Sequence, residues 1–301
     1  MKNILVGLLL CFTLTAVAQQ NAVAPTIPQE MYFAGERIDL RRYDMRERFD
    51  REQLAFMYMH SNSIQIIKRA NKYFPIIEPI LKKNGVPDDF KYLAVIESNL
   101  NPLAVSPARA AGIWQFMAST AREYGLEVND EVDERYHVEK ATVAACQYLK
   151  DAYQKHKSWT NAAAAYNAGS GRIMSEQTKQ QVQQAFDMLL VSETSRYVFR
   201  ILAAKRFLER PQDFGFHLTK ETFYHTIRTT ETVVNTAVAD WASWAKTKGI
   251  TYAQLKYFNP WLRDRSLKNP KGTLYTIKLP VLEDLYYDPQ KIHIHYAGWI
   301  E

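Results

Sequence analysis

Between about residue 46 and residue 210 the apolar side chains recur at helical intervals, and no stretch of any length alternates apolar with polar. Leu54, Phe56, Met57 and Met59 begin the pattern; Ile64, Ile67, Ala70 and Phe74 continue it. Pro75 and Pro79 punctuate the next stretch, Phe74 to Leu81. Gly85 suits a helix end and Pro87 a first helical turn, and Asp88 and Asp89 favour the positive end of the helix that follows. Further helices are expected near 117–125, 138–156, 159–168 and 194–209. Such a chain buries its apolar stripes by packing helix on helix.

After Pro211 the period changes. Tyr224 to Arg228 alternates as a strand does; Val238 to Lys248 and Tyr252 to Phe258 read as helices; Leu274 to Leu279 alternates again. Strand, helix, helix and strand make a small α+β module, and Lys291 to Tyr296 reads as one more strand. The fold class expected is therefore mainly α, an all-helical domain followed by a small α+β module. Residues 19–45, polar and carrying Pro25 and Pro28, read as an irregular arm. The expected division is 1–18 a signal segment, 19–61 the arm and first helix, 62–212 the helical domain, and 213–301 the module with its terminal strand.

Composition narrows the class. With 47% hydrophobic residues the chain is not a disordered one, and a net charge of +6 without a long Lys/Arg block gives no footprint for nucleic acid. Lys2, the uncharged run Ile4–Val17 and the small-residue pattern Ala16-Val17-Ala18 together read as a secretory signal, too short for a membrane span. Cleavage after Ala18 is preferred to lipid attachment at Cys11, because Leu8-Leu9-Leu10 precedes that cysteine where a small residue is needed. Cleavage would leave Cys146 alone, in an apolar helical stretch, so stability has to come from a core rather than a disulfide. No second run long enough to span a membrane follows.

One carboxylate stands out. Phe90, Leu93, Ala94 and Glu97 fall at i, i+3, i+4 and i+7, which places Glu97 on the apolar stripe of a helix. It also lies in the last turn, before Asn99, Asn101 and Pro102 break the pattern. Burial and the negative helix end both disfavour its charged form, which is what a general acid near neutral pH requires. On spacing alone a structural ion pair with Arg109 or Arg122 is equally open. Asp88, Asp89, Asp130, Glu131, Asp133 and Glu134 read as helix N-terminal or solvated loop charges.

The segments around Glu97 form an ordered series. Glu97-Ser98, Asn101-Pro102 and Ala104-Val105-Ser106 resemble the catalytic segment of bacterial lytic transglycosylases with the goose-lysozyme-like fold. Gly112-Ile113-Trp114-Gln115-Phe116-Met117 is similar to that family's second motif, Ala165-Tyr166-Asn167-Ala168-Gly169 to its third, and Glu193-Thr194-Ser195-Arg196-Tyr197-Val198 to its fourth. The likeness covers about residues 62–210, and the Trp in the second motif most resembles the membrane-bound lytic transglycosylase D type. Ala108 stands where some relatives carry a hydroxyl.

The resemblance implies a lysozyme-like catalytic domain that cleaves the β-1,4 bond between N-acetylmuramic acid and N-acetylglucosamine in peptidoglycan without water, leaving a 1,6-anhydro ring. Glu97 would be the single acid and base. Ser106 and Tyr197 would orient Glu97 or the reacting hydroxyl, Gln115, Tyr166 and Asn167 would hold the sugar, and Ser98 would stand beside them. No metal or other cofactor is expected. The expected partner is the glycan strand of the cell envelope, reached through the signal segment, and no protein partner is indicated. A hydrolytic muramidase of the same fold and a non-catalytic wall-binding protein are the alternatives.

In the module, Leu255, Asn259-Pro260, Lys271-Gly272 and Ile277-Leu279-Pro280 resemble a LysM carbohydrate-binding module, although Thr230-Glu231-Thr232-Val233 replaces the usual Gly-Asp-Thr-Leu. Trp241, Trp244, Trp261 and Trp299 lie in this part of the chain. His293 and His295 share a strand face in this reading, with no carboxylate or cysteine at ligand spacing.

Overall fold

The computed structural model describes residues 24–300; the signal segment expected at 1–18, with Cys11, lies outside the described residues. Eight helices make the main body: α1 (Tyr43–Tyr58), α2 (His60–Lys83), α3 (Lys91–Ser98), α4 (Ala118–Glu123), α5 (Val138–His156), α6 (Trp159–Ala168), α7 (Ser170–Gln180) and α8 (Ser192–Glu209). Two of them, α6 and α8, are deeply buried. In α8, Phe199, Ile201, Leu202, Ala203, Ala204 and Phe207 are wholly buried; in α6, Ala162 to Ala165 are. The alanine run lets α5, α7 and α8 pack closely against α6.

Pro75 and Pro79 do not interrupt α2. Both lie on its exposed face, where water can serve the carbonyls that a proline leaves without an N–H partner. Helix α7, which the sequence pattern did not reveal, has one buried residue, Ile173, so its apolar stripe is too thin to read.

The arm is not irregular. β1 (Glu30–Phe33) and β2 (Glu36–Asp39) form an antiparallel hairpin, closed by Ala34 and Gly35 at φ 52° and 82°. Phe33 packs edge-on against Phe90 at 5.2 Å, and Leu40 is wholly buried. Asp89, expected as a helix-end or solvated charge, accepts the Ala34 N–H at 2.7 Å and pairs with Lys205 at 2.7 Å. Glu36 accepts from the Ser158 hydroxyl at 2.9 Å and the Thr160 N–H at 3.0 Å, at the N-terminus of α6. A four-residue strand with charged ends and a two-residue turn carries too little alternation to be seen in sequence.

The second unit is β3 (Thr229–Val234), α9 (Trp241–Thr247), α10 (Tyr252–Phe258) and β4 (Tyr275–Pro280), the two strands antiparallel. Trp241, Leu255, Leu262 and Ile277 fill its core. Asp240 caps α9, and Thr251 with Gln254 forms a capping box on α10. The strand read at Tyr224–Arg228 lies instead at Thr229–Val234. Beyond Thr229 and Pro280 the Val281 N–H still donates to the Arg228 carbonyl at 2.9 Å, but the Arg228 N–H turns to the Asp284 carboxylate at 3.1 Å, and a 3₁₀ turn at Leu282–Leu285 carries the partner chain away.

The last segment is likewise not a strand. Pro289–Lys291 is a 3₁₀ turn, and the side-chain amide of buried Asn71 takes the place of a neighbouring strand: it donates to the His293 carbonyl at 2.9 Å and accepts from the His295 N–H at 2.8 Å. His295 pairs with Glu78 across 2.8 Å. Trp299 is buried and donates from its indole N–H to the Leu208 carbonyl at 2.7 Å.

Packing therefore ties both flanks of the second unit to the helical body. Phe214, Phe216, Leu218 and Phe223 before it, and Ile292 and Trp299 after it, join the main core. Because Thr229 and Pro280 are paired, the unit enters and leaves at one point. We expect replacement of residues 230–279 by a two-residue turn to leave a folded protein with a cooperative thermal transition. Truncation after residue 212 should lower the transition by more than 10 °C or abolish it, since several aromatic side chains of the core are lost, each worth about 3 kcal/mol or more. Calorimetry of the two proteins checks this, and a truncated form as stable as the full chain would refute it.

Candidate active site

Helix α3 consists almost wholly of core: Tyr92, Leu93, Ala94 and Val95 are buried in succession. It ends because Asn99 and Leu100 take left-handed conformations, φ 52° and 55°, which turn the chain back across the helix end. Glu97 sits in this last turn and lines a groove of about 950 Å³. The groove runs between α1 and α2 on one side and the N-terminal turns of α8 on the other; Asn101, Ser106 and Gln115 complete it.

Burial dominates the electrostatics of Glu97 and pushes its carboxyl up to about 7. The Tyr197 hydroxyl, which donates a short hydrogen bond to Oε1, and the positive charge of Arg200 pull the other way; Glu193 adds to the rise. Tyr197 is buried in α8, and burial together with the facing carboxyl keeps its phenol well above the usual range. It is therefore a neutral donor near neutral pH. The ion pairs open in the sequence do not form: Arg122 donates to the Val128 carbonyl at 2.8 Å, and Arg109 is exposed.

The structure divides the other expected site residues into two groups. Ser106 and Gln115 line the groove with Glu97. The Ser106 hydroxyl oxygen accepts from the Ala110 N–H at 3.0 Å, leaving its proton to donate. Gln115, at φ 50°, spends its amide N–H groups on the Gly112 and Ala104 carbonyls at 2.8 and 3.1 Å, which fixes the side chain and leaves its oxygen as an acceptor.

Tyr166 and Asn167 instead hold the frame, and Ser98, which lines the groove too, shares that task. Buried Ser98 donates to the Ile113 carbonyl at 2.8 Å, fastening the second motif to α3. Tyr166 donates to the Trp114 carbonyl at 2.7 Å, with its ring against Tyr148. Asn167 accepts from the Thr194 hydroxyl at 2.8 Å and reaches Glu193 at 3.5 Å, joining the end of α6 to the start of α8.

The second motif depends on its glycine. Gly112 has φ 81°, and a Cβ there would lie 1.8 Å from the Arg135 carbonyl oxygen. Arg135 in turn donates to the Arg109 and Phe116 carbonyls at 2.9 and 3.1 Å and pairs with Asp133 at 2.7 Å. Asp133 and Glu134, expected as helix N-terminal or solvated loop charges, are buried, and Asp133 caps the 3₁₀ turn Glu134–Tyr136 by accepting the Arg135 N–H at 3.1 Å. They support this clamp, and Glu134 accepts the Glu127 N–H at 2.9 Å and pairs with Lys140.

Sequence reasoning missed the α1–α2 wall, with Phe56, Ser63 and Ile66, and the charges Glu193 and Arg200. Glu193 and Arg196 stand in the fourth motif, so a signal existed. Arg196 pairs with buried Glu52 at 2.8 Å across the end of the groove. The wall residues show only helical periodicity, which does not separate a groove from a core.

A raised Glu97 also affects stability. The folded protein holds this proton more tightly than the unfolded chain, so between pH 4.5 and about 7 stability falls as pH rises. Gln has no proton to lose. The Glu97→Gln protein should exceed wild type by on the order of 2–3 kcal/mol at pH 8 and by little at pH 4. Urea unfolding at both values checks this, and an equal difference at the two pH values would contradict the burial argument.

Comparison with known proteins agrees with this geometry. Residues 74–188 match the transglycosylase SLT domain, and residues 230–283 match the soluble lytic transglycosylase C-terminal LysM-like domain. Membrane-bound lytic murein transglycosylase D of Escherichia coli (strain K12) is 30% identical over 217 residues, covering 70% of this chain and 46% of the relative. A putative tributyltin chloride resistance protein of Alteromonas sp. (strain M-1) is 29% identical over 107 residues, 35% of this chain and 52% of that one. The chain spans about half the length of these curated relatives. Among solved structures, the 70 kDa soluble lytic transglycosylase of Escherichia coli aligns over 46% of this chain and 24% of its own, with 23% identity and a TM-score of 0.40. The chain is thus similar, over 217 residues, to membrane-bound lytic murein transglycosylase D, and it carries a match to the transglycosylase SLT domain followed by one to the soluble lytic transglycosylase C-terminal LysM-like domain.

Proposed function

We propose that this protein is a peptidoglycan lytic transglycosylase that cleaves the β-1,4 bond between N-acetylmuramic acid and N-acetylglucosamine, with Glu97 as its single acid and base. The observation that carries the reading is one half-buried carboxyl, raised to about 7, in a groove of about 950 Å³. Near neutral pH such a group is protonated in a large fraction of molecules and still basic enough to take a proton back. Glu97 protonates the leaving glycosidic oxygen as the C1–O bond breaks. The resulting carboxylate then accepts the proton of the muramic 6-hydroxyl as its oxygen closes on C1. Atoms balance without water, and the enzyme ends in its starting protonation state.

The neighbours fit these roles. Tyr197 holds one carboxyl oxygen of Glu97 and stabilises the carboxylate that appears midway. Ser106 and Gln115 face the groove with a donor and an acceptor for the sugar. Residues 1–18 would act as a cleaved signal that brings the protein to the cell envelope. No helix among the described residues is long and apolar enough to cross a membrane.

Glu193 gives the hydrolytic alternative its content. It lines the same groove and raises Glu97, as a second carboxylate poised to activate water would. Mass spectrometry of digested peptidoglycan separates the two: anhydro ends are lighter than reducing ends by one water. We expect anhydro products from wild type and from Glu193→Gln, and none from Glu97→Gln. Reducing ends that vanish in Glu193→Gln would establish hydrolysis.

The rate should follow the proton on Glu97. Activity falls as pH rises through about 7, because the carboxyl is then ionised before substrate binds. It also falls in acid, where the return of the proton is hindered. In Tyr197→Phe the hydrogen bond that lowers Glu97 is gone, so the alkaline limb should move to higher pH while kcat drops about tenfold or more. A pH–rate profile on purified glycan checks both; an unmoved alkaline limb would separate it from Glu97.

A further inference from the structure

A second groove, of about 590 Å³, lies where the LysM-like unit meets the helical body. It abuts the first. Along α2, Arg69 lines the Glu97 groove, whereas Lys72 and Tyr73, one turn further on, line the second; Asn101 and Pro102 are divided between the two in the same way. A strand leaving the Glu97 groove along α2 runs into this cleft.

Aromatic and polar side chains outnumber the aliphatic ones, Ile76, Val138, Ile227 and Leu285, in the lining of this cleft. Tyr224, Tyr257 and Tyr287 reach it from the linker, from α10 and from the segment after β4, and they stay 59%, 60% and 62% exposed. Rings left open to solvent by three separate segments that converge on one cleft are not explained by core packing. The Lys72 ammonium lies over the Tyr73 and Tyr257 rings at 5.3 and 5.0 Å and donates to the Tyr257 hydroxyl at 3.1 Å. Pyranose rings offer apolar C–H faces for such tyrosines and hydroxyl edges for their phenols, and a muramic unit without its peptide adds a carboxylate for Lys72. A partner helix would ask for a continuous row of Leu, Ile or Met pockets, whereas Ile76, Ile227 and Leu285 stand here among tyrosines, lysines and Glu139.

We infer that the cleft between the helical body and the LysM-like unit is a distal glycan site, which holds peptide-free aminosugar strand beyond the Glu97 groove and gives the protein its grip on long strands. The inference rests on the proposed reaction for its choice of polymer, but binding can be measured without turnover.

The test uses full-length Glu97→Gln protein, with and without Tyr224→Ala and Tyr257→Ala. Both tyrosines are largely exposed, so their loss leaves the core intact. Calorimetric titration is made with peptide-free glycan strands of about eight disaccharides, with fragments of two, and with isolated stem peptides. We expect the tyrosine substitutions to weaken binding of the long strands by roughly tenfold and that of the short fragments by less than about twofold. Unchanged binding of long strands, or an equal loss on both lengths, would overturn the proposal. Stem peptides that bind wild type and lose that binding in the tyrosine variant would also overturn it, in favour of a peptide site. Failure of wild type to release anhydro products, with this length-dependent binding intact, would count against the reaction and not against the site.

Discussion

The hydrogen bond from the Tyr197 phenol to the Glu97 carboxyl is the contact on which the rest of this structure depends. A carboxyl taken out of water resists ionisation, and a neutral donor beside it sets how far. Too little burial leaves an ordinary carboxylate; too much leaves an acid that cannot release its proton. Holding the two groups together takes two helices from distant parts of the chain. One is α3, buried along four successive residues, and the other is α8, deeply buried as well. Most of the helical body keeps those two helices in contact. The N-terminal hairpin contributes from outside, through Asp89 and Lys205, which clamp it to the start of α3 and to α8.

Around that pair the sequence motifs act as scaffolding more than as contact surface. Ser98 and Tyr166 both spend their hydroxyls on backbone carbonyls of the second motif. Gly112 lets that motif pass under the Arg135 carbonyl, and Arg135 grips it from the far side. Ser98 lines the groove as well, beside Ser106, Gln115 and Glu97, whereas Tyr166 and Arg135 do not. Invariably spaced residues of such a motif can thus be fixed by the geometry of their neighbours as firmly as by any ligand.

Helical periodicity made the main body legible, and the apolar stripe through Phe90, Leu93 and Ala94 made Glu97 legible as a raised carboxyl. The α+β unit was legible in its two helices and in β4, which each bury a face; β3, buried only at Val234, was read too early in the chain. What escaped reading has short apolar segments, Phe33 and Leu40 at the hairpin among them, and is fastened by single polar contacts. The hairpin docks through Asp89 and Glu36, and the terminal segment through the Asn71 amide; neither leaves a periodic trace. Asp133 and Glu134 looked solvated because their partners, Arg135 and Lys140, are ordinary surface types in sequence. The α1–α2 wall was hidden for the opposite reason, since its side chains follow the helical period as core residues do.

The central claim is that one desolvated carboxyl, held by Tyr197, titrates near neutrality. Difference infrared spectroscopy of wild type against Glu97→Gln, recorded across pH 3 to 9, follows the carboxyl stretch of this single side chain. The account predicts a protonated band that persists well above the ordinary glutamate range and disappears with a midpoint of about 7. A band lost near 4.5 would show an ordinary solvated carboxylate and would contradict it.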